Sequence, residues 1–315
     1  MPKLKPIPGT EDIEFKPKFV ERYSELTDWK EFKKYTLCFL PKSIRINTLK
    51  KPINEVKKRL SEHWILTKIP WCKEGFWIEH EYGRLDVGNT IEHNLGYYYV
   101  QESASMIPPI VLDPKPGEKV LDLCASPGSK ASQIAQYMNN KGVLVANDVS
   151  GSRLAALGIN LQRLGVSNCV VTQKKGEHFK GDDFDKILLD APCSGTGTIR
   201  KSIKTIKMWN PNTIKSIAGM QKSLIKNAFS LLRPGGILVY STCSLEPEEN
   251  EGVVDWLLRN DSDAQLEEIN LNIKRGDIIT KFEKQEYSKK IEKCLRLWPQ
   301  DNNTEGFFIA KISKK

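Results

Sequence analysis

The chain has 315 residues, of which 39% are hydrophobic and 28% are charged, and it carries a formal net charge of +9. This composition is typical of a globular protein and excludes a fibrous or largely disordered chain. No run approaches the ~20 apolar residues of a membrane span, and the N-terminal residues lack the apolar core of a signal peptide, so we expect a cytoplasmic protein without a membrane partner. The positive charge favours a polyanionic partner, although many basic proteins bind none.

The seven cysteines are odd in number and form no C-x-x-C pair. Because the chain is far longer than disulfide-dense secreted domains, we predict reduced thiols, and we predict no metal site. Most cysteines in such a chain are small buried hydrophobic residues.

Residues 1–113 are predicted to form a small α+β domain. The segment SIRINTLKKPINEVKKRL at 43–60 first alternates like a strand and then shows helical periodicity over 53–60. Aromatic residues follow at Trp64, Trp71, Phe76, Trp77, Tyr82 and Tyr97 to Tyr99. Lysines interleaved with aromatics suit RNA backbone contact and base stacking, but the core of a small domain would show the same pattern, and both interpretations stay open.

The turn-rich segment PKPGEKV at 114–120 marks the expected start of a second domain, residues 114–315. Short apolar runs alternate there with helical segments. The runs are KVLDLC at 119–124, GVLVAND at 142–148, NCVVT at 168–172, FDKILLD at 184–190, GGILVYST at 235–242 and GFFIAKI at 306–312. With helices predicted at about 130–139, 151–164, 212–232 and 247–259, the pattern is typical of a doubly wound α/β domain with buried, mostly parallel strands. Ligands bind such sheets at the carboxyl ends of the strands.

The first run continues into LDLCASPGSK at 121–130, where Pro127 and Gly128 predict a tight turn that lets backbone N–H groups approach a ligand. This turn matches neither G-x-G-x-x-G nor the phosphate-binding G-x-x-x-x-G-K-[ST] pattern. The second run ends in Asp148, which can accept hydrogen bonds from ribose hydroxyls or serve as a helix cap. A turn without a phosphate motif next to an acidic strand end fits adenosine without pyrophosphate, as in S-adenosylmethionine.

Lys130 lies in the predicted first turn of the following helix, where its charge opposes the helix dipole at a cost of ~0.3 kcal/mol or more. Two interpretations remain for it. Lys130 is either a solvated surface residue or a charge directed at a carboxylate neighbour or the substrate base.

Two later strands each deliver one cysteine: Cys193 in DAPCSGTG at 190–197 and Cys243 in YSTCSLEPEEN at 240–250. Because neighbouring parallel strands end at the same edge of a sheet, both thiols should face one pocket next to the cofactor. A thiolate added to C6 of a cytosine makes C5 nucleophilic enough to accept a methyl group, and it can leave afterwards. Asp190 is placed to assist at N3 or at the amino group of the base.

The segment from Arg200 to Asn227 contains seven basic residues and no acidic one. Such a run is often a solvated face. Because it begins directly after the Cys193 loop, we predict a track for the phosphate backbone of RNA. Its basic residues are Arg200, Lys201, Lys204, Lys207, Lys215, Lys222 and Lys226.

Taken in order, these motifs resemble the Nol/Nop/Sun family of RNA cytosine-5 methyltransferases over nearly the whole chain from about Arg45. The matching segments are SIRINTLK at 43–50, YVQESAS at 99–105, LDLCASPGSK at 121–130, DAPCSGTG at 190–197, RPGGILVYSTCSLEPEENE at 233–251 and GFFIAK at 306–311. The resemblance implies a seven-stranded Rossmann-like methyltransferase sheet, S-adenosylmethionine as cofactor and a smaller N-terminal RNA-binding α+β domain.

The resemblance also implies that Cys243 is the nucleophile, that Cys193 is the release residue, and that Asp190 contacts both cofactor and base, with Lys130 in the catalytic set. The implied cofactor-binding residues are Cys124, Ala125, Ser126, Pro127, Gly128, Ser129, Lys130, Asp148, Arg153 and Asp190. Two positions depart from the family pattern: Lys175 stands where an aspartate is frequent, and Gln300 stands where a histidine is common. The roles of those two family residues are not transferred.

We therefore predict methylation of carbon 5 of a cytosine in RNA, with no obligate protein partner. We expect tRNA as the substrate because the compact chain resembles tRNA-directed members of the family. The alternatives are ribosomal RNA, DNA or a small molecule as substrate, and a non-catalytic RNA-binding assembly factor. The basic run argues against a small-molecule substrate, and the intact set of Cys243, Cys193, Asp190 and Asp148 argues against an assembly factor.

Overall fold

The computed structural model describes residues 2–10, 12–80, 82–83, 86–181 and 183–315, which contain two large sheets and their flanking helices. The helices are α1 Pro17–Leu26, α2 Trp29–Thr36, α3 Ile53–Leu60, α4 Ile91–Asn94, α5 Ile107–Leu112, α6 Ser129–Tyr137, α7 Gly151–Leu164, α8 Lys204–Met208, α9 Pro211–Ser230, α10 Glu251–Asn260 and α11 Pro299–Asn302. The strands are β1 Ser43–Ile46, β2 Trp64–Lys68, β3 Gly75–His80, β4 Tyr98–Val100, β5 Lys119–Asp122, β6 Val143–Asp148, β7 Cys169–Gln173, β8 Phe184–Asp190, β9 Leu232–Thr242, β10 Ala264–Glu267, β11 Lys281–Phe282, β12 Gln285–Glu286, β13 Leu295–Leu297 and β14 Phe307–Lys314.

The N-terminal sheet is antiparallel, with the strand order β2-β3-β1-β4, and α3 covers it. Its aromatic side chains are mostly interior. Trp64, Trp71, Phe76, Trp77, Tyr98 and Tyr99 are all buried, whereas Tyr82 is exposed. The core interpretation therefore holds for these six residues, and they offer no stacking surface to RNA.

Several contacts attach the N-terminal part to the rest of the chain. Helices α1 and α2 pack on the C-terminal core, where the rings of Tyr23 and Phe32 each lie about 6 Å from the ring of Trp298. Arg45 is fully buried, and its guanidinium donates to the carbonyl of Ser129 at 2.8 Å and to Oγ of Ser132 at 2.9 Å. The N-terminal sheet is thus fixed against the start of α6. The division at residues 113 and 114 stays a prediction.

The large sheet confirms the doubly wound α/β fold. Seven strands follow one another in the order β10-β14-β9-β8-β5-β6-β7, and β13 adds an eighth by pairing with β14. Strands β7, β6, β5, β8 and β9 are parallel, as expected for a Rossmann-like sheet. No helix among the described residues is long and apolar enough to cross a membrane.

Two strands depart from the expectation of buried parallel strands. Strand β14 is antiparallel to β9 and to β10, between which it lies. Strand β7 forms the edge of the sheet, and its Val170 and Val171 are 54% and 42% exposed. Apolar, β-branched residues thus identified these strands correctly but did not reveal their direction or position.

The parallel strands bring the predicted site residues to one edge of the sheet. Strands β5, β6, β8 and β9 are adjacent and end at this edge. They are followed, in that order, by the predicted cofactor loop, the residues after Asp148, the Cys193 segment and the Cys243 segment. The polar residues of four separate segments therefore meet above the carboxyl ends of the strands.

Candidate active site

The loop between β5 and α6 has the tight turn that its sequence predicts. Gly128 has a φ of +103°, and a Cβ atom there would lie 2.9 Å from Cδ1 of Leu157 on α7. Glycine is needed at this position both for the positive φ and for the close approach of α7. The loop is thereby held at the start of α6, with the backbone of Ser129 and Lys130 forming the first turn of that helix.

Asp148, at the end of β6, is bonded to this loop. Its Oδ2 accepts from the backbone N–H of Ser126 at 3.2 Å, and its Oδ1 accepts from the N–H of Ser150 at 3.0 Å. Arg153 completes the connection, since its Nη1 lies 3.5 Å from Oδ2 of Asp148 and its Nη2 donates to the carbonyl of Ser126 at 2.7 Å. Asp148 therefore braces the loop and the start of α7, and its ribose contact remains a prediction.

Lys130 is not a solvated surface residue. Its side chain is buried, and its Nζ donates to Oδ2 of Asp190 at 2.7 Å, while Oδ1 of Asp190 accepts from Oγ of Ser241 at 2.8 Å. Burial lowers the pKa of Lys130, but the charge of Asp190 and its hydrogen bond outweigh burial, so the pKa is raised above its usual range. The ammonium keeps its proton, and it interacts electrostatically with Cys243 as well.

Cys193 and Cys243 lie side by side, with 3.2 Å between their Sγ atoms. Each follows the end of one of two adjacent parallel strands, β8 and β9, as the strand-end argument expects. The hydrogen bond to Cys243, burial and the negative charge of Glu249 raise the pKa of Cys193 well above its usual range. In the free enzyme, Cys193 thus holds its proton next to the second thiol.

The other cysteines have no comparable partner thiol in the described part of the chain. Cys38, Cys72 and Cys294 are buried, and Cys124 and Cys169 are half-buried. Burial raises the pKa of Cys72 and of Cys169 to about 12. Cys124 belongs to the predicted cofactor loop, where burial and the neighbouring carboxylates raise its pKa well above the usual range. Burial also raises the pKa of Cys38 and of Cys294.

The basic run after Cys193 is divided in two by the structure. Arg200 is buried, and its guanidinium donates to the carbonyls of Cys38, Phe39 and Thr304 at 3.2, 2.7 and 3.1 Å. It is a structural residue, and its assignment to a phosphate track is wrong because backbone carbonyls occupy its donors. The six lysines point to solvent or are half-buried: Lys201, Lys204, Lys207, Lys215, Lys222 and Lys226.

A hollow of about 250 Å³ opens between Cys193 and helices α8 and α9. Met208, Trp209 and Ile217 give it a largely apolar lining, and Thr205 and Asn210 add polar groups. Helices α8 and α9, which contribute to this lining, also carry exposed lysines. The hollow has room for a nucleobase next to Cys193.

Two acidic residues of the site were not singled out from the sequence. Asp122, at the end of β5, is 1% exposed, and burial together with the charge of Asp190 raises its pKa to about 8. Glu249 is fully buried and accepts hydrogen bonds from the segments that carry both cysteines. The position of Asp122 at a strand end was a usable signal, whereas nothing in EPEEN distinguishes Glu249 from its acidic neighbours.

The positions that depart from the family pattern are also explained locally. Gln300 lies at the start of α11, and its Nε2 donates to Oγ1 of Thr27 at 2.8 Å, so it joins α1 to the C-terminal domain. Lys175 precedes a short turn of helix over 176–178 after β7 and is exposed. Among the described residues, neither side chain forms a hydrogen bond with the predicted cofactor loop.

Comparison with family models matches both parts of the chain. Residues 109–313 match the model for the 16S rRNA methyltransferase RsmB/F, and residues 15–103 match the N-terminal domain of the 16S rRNA methyltransferase RsmF. Together these matches cover most of the chain and confirm the resemblance seen in the motifs. RsmB/F methyltransferases depend on S-adenosylmethionine, which confirms the predicted cofactor.

Curated relatives act on two kinds of RNA. The chain is 48% identical over 300 residues to a tRNA (cytosine(49)-C(5))-methyltransferase of Pyrococcus abyssi, an alignment covering 94% of this chain and 96% of the relative. It is 45% identical over 282 residues to the ribosomal RNA small subunit methyltransferase F of Aliivibrio salmonicida, covering 87% of this chain and 58% of the relative. The chain thus spans nearly the full archaeal relative but little more than half of the bacterial one.

Solved structures show the same fold. A methyltransferase homolog protein from Pyrococcus horikoshii has a TM-score of 0.86 at 40% identity, covering 96% of each chain. NSun6 from Pyrococcus horikoshii with SFG, an S-adenosylmethionine analogue, has a TM-score of 0.83 at 26% identity, covering 95% of this chain and 98% of that one. The chain belongs to the RsmB/F (Nol/Nop/Sun) family of S-adenosylmethionine-dependent RNA (cytosine-C5) methyltransferases.

Proposed function

We propose that this protein methylates carbon 5 of a cytosine in tRNA through a covalent bond between Cys243 and C6 of the base, resolved with the help of Cys193. The observation that carries the proposal is the 3.2 Å contact between the two Sγ atoms, next to the ion pair of Lys130 and Asp190. Two thiols at matched strand ends suit a reaction that needs one nucleophile and one further proton-transfer group on the same base.

The choice of tRNA rests on sequence similarity. The chain is 48% identical over 300 residues to the archaeal tRNA methyltransferase and 45% identical over 282 residues to the bacterial ribosomal RNA enzyme. Ribosomal RNA is the alternative substrate, since the family models carry that description. Either substrate would place the action of the enzyme in the cytoplasm.

The residues of the loop fit S-adenosylmethionine on two observations. The glycine turn leaves backbone N–H groups at the start of α6 without a phosphate-binding motif, and Asp122 and Asp148 supply carboxyl groups at neighbouring strand ends. We assign the cofactor to Cys124, Ala125, Ser126, Pro127, Gly128, Ser129, Lys130, Asp148, Arg153 and Asp190. When bound, the cofactor supplies an electrophilic methyl group on a sulfonium.

In the first step, the sulfur of deprotonated Cys243 forms a bond to C6 of the cytosine. The C5–C6 double bond shifts its electrons toward C5 and the N3 side of the ring. Lys130 keeps its proton and is placed to stabilise this charge, and Asp190 is placed to accept a hydrogen bond from the amino group of the base. The carbanion-like C5 then takes the methyl group.

In the second step, the proton on C5 has to leave. Cys193, as a thiolate, takes this proton, the electrons of the C–H bond re-form the C5–C6 double bond, and the C6–S bond breaks to expel the thiolate of Cys243. Once Cys243 is a thioether, its hydrogen bond and charge no longer raise the pKa of Cys193, so Cys193 gives its thiol proton to solvent at this stage. The proton taken from C5 replaces it, so Cys193 ends as the thiol of the free enzyme and one proton is released for each methyl group transferred.

The lysines of α8 and α9 give the RNA an approach to the thiols. Exposed ammonium groups at Lys204, Lys207 and Lys215 suit the phosphate backbone, and the apolar hollow next to Cys193 suits a base that has left its stack. A duplex would hide C5 and C6, so the target cytosine has to be extruded or already unpaired.

The test is to incubate the protein with radiolabelled S-adenosylmethionine and either unmodified total tRNA or ribosomal RNA, and then to digest the RNA and identify the labelled nucleoside. The proposal predicts 5-methylcytidine from tRNA. If label appeared only in ribosomal RNA, the proposed substrate would be ribosomal RNA rather than tRNA. Cofactor binding without label in either RNA would favour a non-catalytic assembly factor.

A further inference from the structure

A single carboxylate, that of Glu249, bridges the two segments that carry the cysteines. Glu249 lies just before α10 and is fully buried. Its Oε2 accepts from the backbone N–H of Ser194 at 2.9 Å, and its Oε1 accepts from Oγ of Ser244 at 2.9 Å and from Oγ of Ser194. Ser194 directly follows Cys193, and Ser244 directly follows Cys243, so each cysteine is one residue away from this carboxylate.

Two further residues, Gln221 and Tyr240, hold Glu249 in place. Nε2 of Gln221, on α9, donates to Oε2 of Glu249 at 3.1 Å and to the carbonyl of Pro192 at 2.8 Å. The hydroxyl of Tyr240, on β9, donates to the carbonyl of Glu249 at 2.6 Å. Both the side chain and the backbone of Glu249 are therefore fixed, and Pro192 is held on the opposite side of Cys193 from Ser194.

We propose that Glu249 is a positioning residue that holds Cys193 and Cys243 in contact through Ser194 and Ser244. This inference depends on the proposed function for its effect on catalysis but not for its effect on thiol geometry. Strands β8 and β9 bring the two thiols to the same edge, yet both lie in loops beyond the strand ends, where strand pairing no longer sets distances. The two loops are also joined directly, since Gly197 N–H donates to the carbonyl of Cys243 at 2.9 Å and the hydroxyls of Ser194 and Ser244 lie 3.1 Å apart. The carboxylate adds a link between the two residues that directly follow the cysteines.

The neighbouring acidic residues Glu246 and Glu248 form different contacts, and Glu248 therefore provides a matched control. Glu248 pairs with Arg22 at 3.1 Å, and Glu246 accepts from Arg22, Tyr23 and Trp209. Both hold α1 against the catalytic half of the molecule. Within the part of the chain that the structure describes, Glu248 accepts side-chain hydrogen bonds from Arg22 and not from Ser194 or Ser244. Glu248→Ala therefore tests the loss of a nearby acid without loss of the bridge.

The first measurement reports on thiol geometry without RNA. Diamide, an azodicarboxamide oxidant, takes two electrons and two protons from a pair of adjacent thiols, forming a disulfide while its N=N bond becomes a hydrazine. The rate of the Cys193–Cys243 disulfide, followed by peptide mapping, should fall at least about tenfold in Glu249→Ala because the thiols separate. Glu249→Gln should keep nearly the wild-type rate, since the serine hydroxyls can rotate to accept from its amide.

The second measurement is steady-state methylation by the same variants. A displacement of about 1 Å in a reacting group costs about 10²-fold, so kcat of Glu249→Ala should fall about 100-fold. Its KM for RNA and for S-adenosylmethionine should stay within about twofold of wild type, and Glu249→Gln should restore most of kcat. Glu248→Ala should leave the disulfide rate and kcat within about twofold.

A variant with less risk to folding completes the design. Ser194→Ala combined with Ser244→Ala removes the hydroxyl bonds but leaves the carboxylate with Ser194 N–H and Gln221, and it should slow disulfide formation by a smaller factor. Wild-type disulfide rates in Glu249→Ala, or in the double serine variant if Glu249→Ala does not fold, would overturn the positioning role. A rate that depends on Glu249 in a protein that never methylates cytosine would overturn the proposed function alone.

Discussion

Nζ of Lys130 lies 2.7 Å from Oδ2 of Asp190, and this ion pair joins the cofactor loop after β5 to the strand end that precedes Cys193. The contact explains a lysine in the first turn of α6, where the helix dipole alone disfavours a cation. It also sets a charged donor and a charged acceptor next to one another at the place where, in the proposed mechanism, a cytosine ring meets Cys243.

Replacing Lys130 with methionine should lower kcat by about 10²- to 10³-fold, because one preorganised donor to the developing charge on the base is lost. Asp190 would keep its hydrogen bond from Ser241, so the fold should persist. The measurement is single-turnover methylation of tRNA at saturating cofactor. Lys141→Met, at an exposed lysine just before β6, serves as control, and equal rates for both variants would contradict the assignment.

The basic run should separate into RNA-binding and structural residues. Lys204→Gln combined with Lys207→Gln should weaken RNA binding and reduce the slope of log K against log salt by about one for each lysine that meets a phosphate. The midpoint of thermal unfolding should not move. Fluorescence anisotropy with labelled tRNA at several salt concentrations measures both quantities, and an unchanged slope would place the RNA elsewhere.

Arg200→Ala should instead destabilise the protein by about 3 kcal/mol or more, because buried hydrogen bonds from a charged group to three carbonyls are lost. Urea unfolding followed by circular dichroism gives this free energy. Arg200→Ala at wild-type stability, with weakened RNA binding, would restore the phosphate interpretation that the structure rejects.

The raised pKa of Asp122 predicts how the free energy of unfolding depends on pH. Its pKa is raised from 3.8 to about 8 in the folded protein by burial and by the charge of Asp190. Between about pH 4 and pH 8, the folded state keeps a proton that the unfolded state has released, so this group makes the free energy of unfolding fall as the pH rises. Asp122→Asn removes the effect and should gain stability relative to wild type from pH 5 to pH 8. If the free energy of unfolding changed with pH in the same way in wild type and in Asp122→Asn, both without cofactor, the raised pKa of Asp122 would be contradicted.

The sequence anticipated the site better than the fold around it. Apolar runs located the strands, and the rule that parallel strands share an edge predicted that Cys193 and Cys243 would meet. The same runs did not predict the antiparallel β14 or the exposed edge strand β7, since a β-branched residue fits either position. Arg200 and Lys204 look alike in sequence, and they differ only in which backbone carbonyls the fold brings near them.

Residues that act through tertiary hydrogen bonds were the hardest to predict. Glu249 lies among four acidic residues in EPEENE, and its role depends on Ser194, 55 positions away. Asp122 belonged to a recognised strand, but its pKa depends on burial and on Asp190, which only the packed structure reveals. Motifs thus located the two cysteines, whereas the residues that hold them in place are recognised only from their tertiary contacts.

Cys243→Ala should abolish methylation while leaving the affinity for S-adenosylmethionine within about threefold of wild type, because Cys243 is proposed to bond only to the base. Isothermal titration with the cofactor and label transfer to tRNA give the two quantities. Residual turnover at more than about 1% of wild type would contradict the role of Cys243 as nucleophile.

The covalent mechanism is tested most directly by mixing Cys193→Ala with tRNA and S-adenosylmethionine and looking for a protein–RNA complex that survives denaturing electrophoresis. We expect this variant to accumulate the Cys243–C6 adduct, and we expect mass spectrometry to place the crosslink on Cys243. The additional substitution Cys243→Ala should remove the complex. Normal turnover by Cys193→Ala with no stable complex would contradict the release role of Cys193 and the covalent mechanism proposed with it.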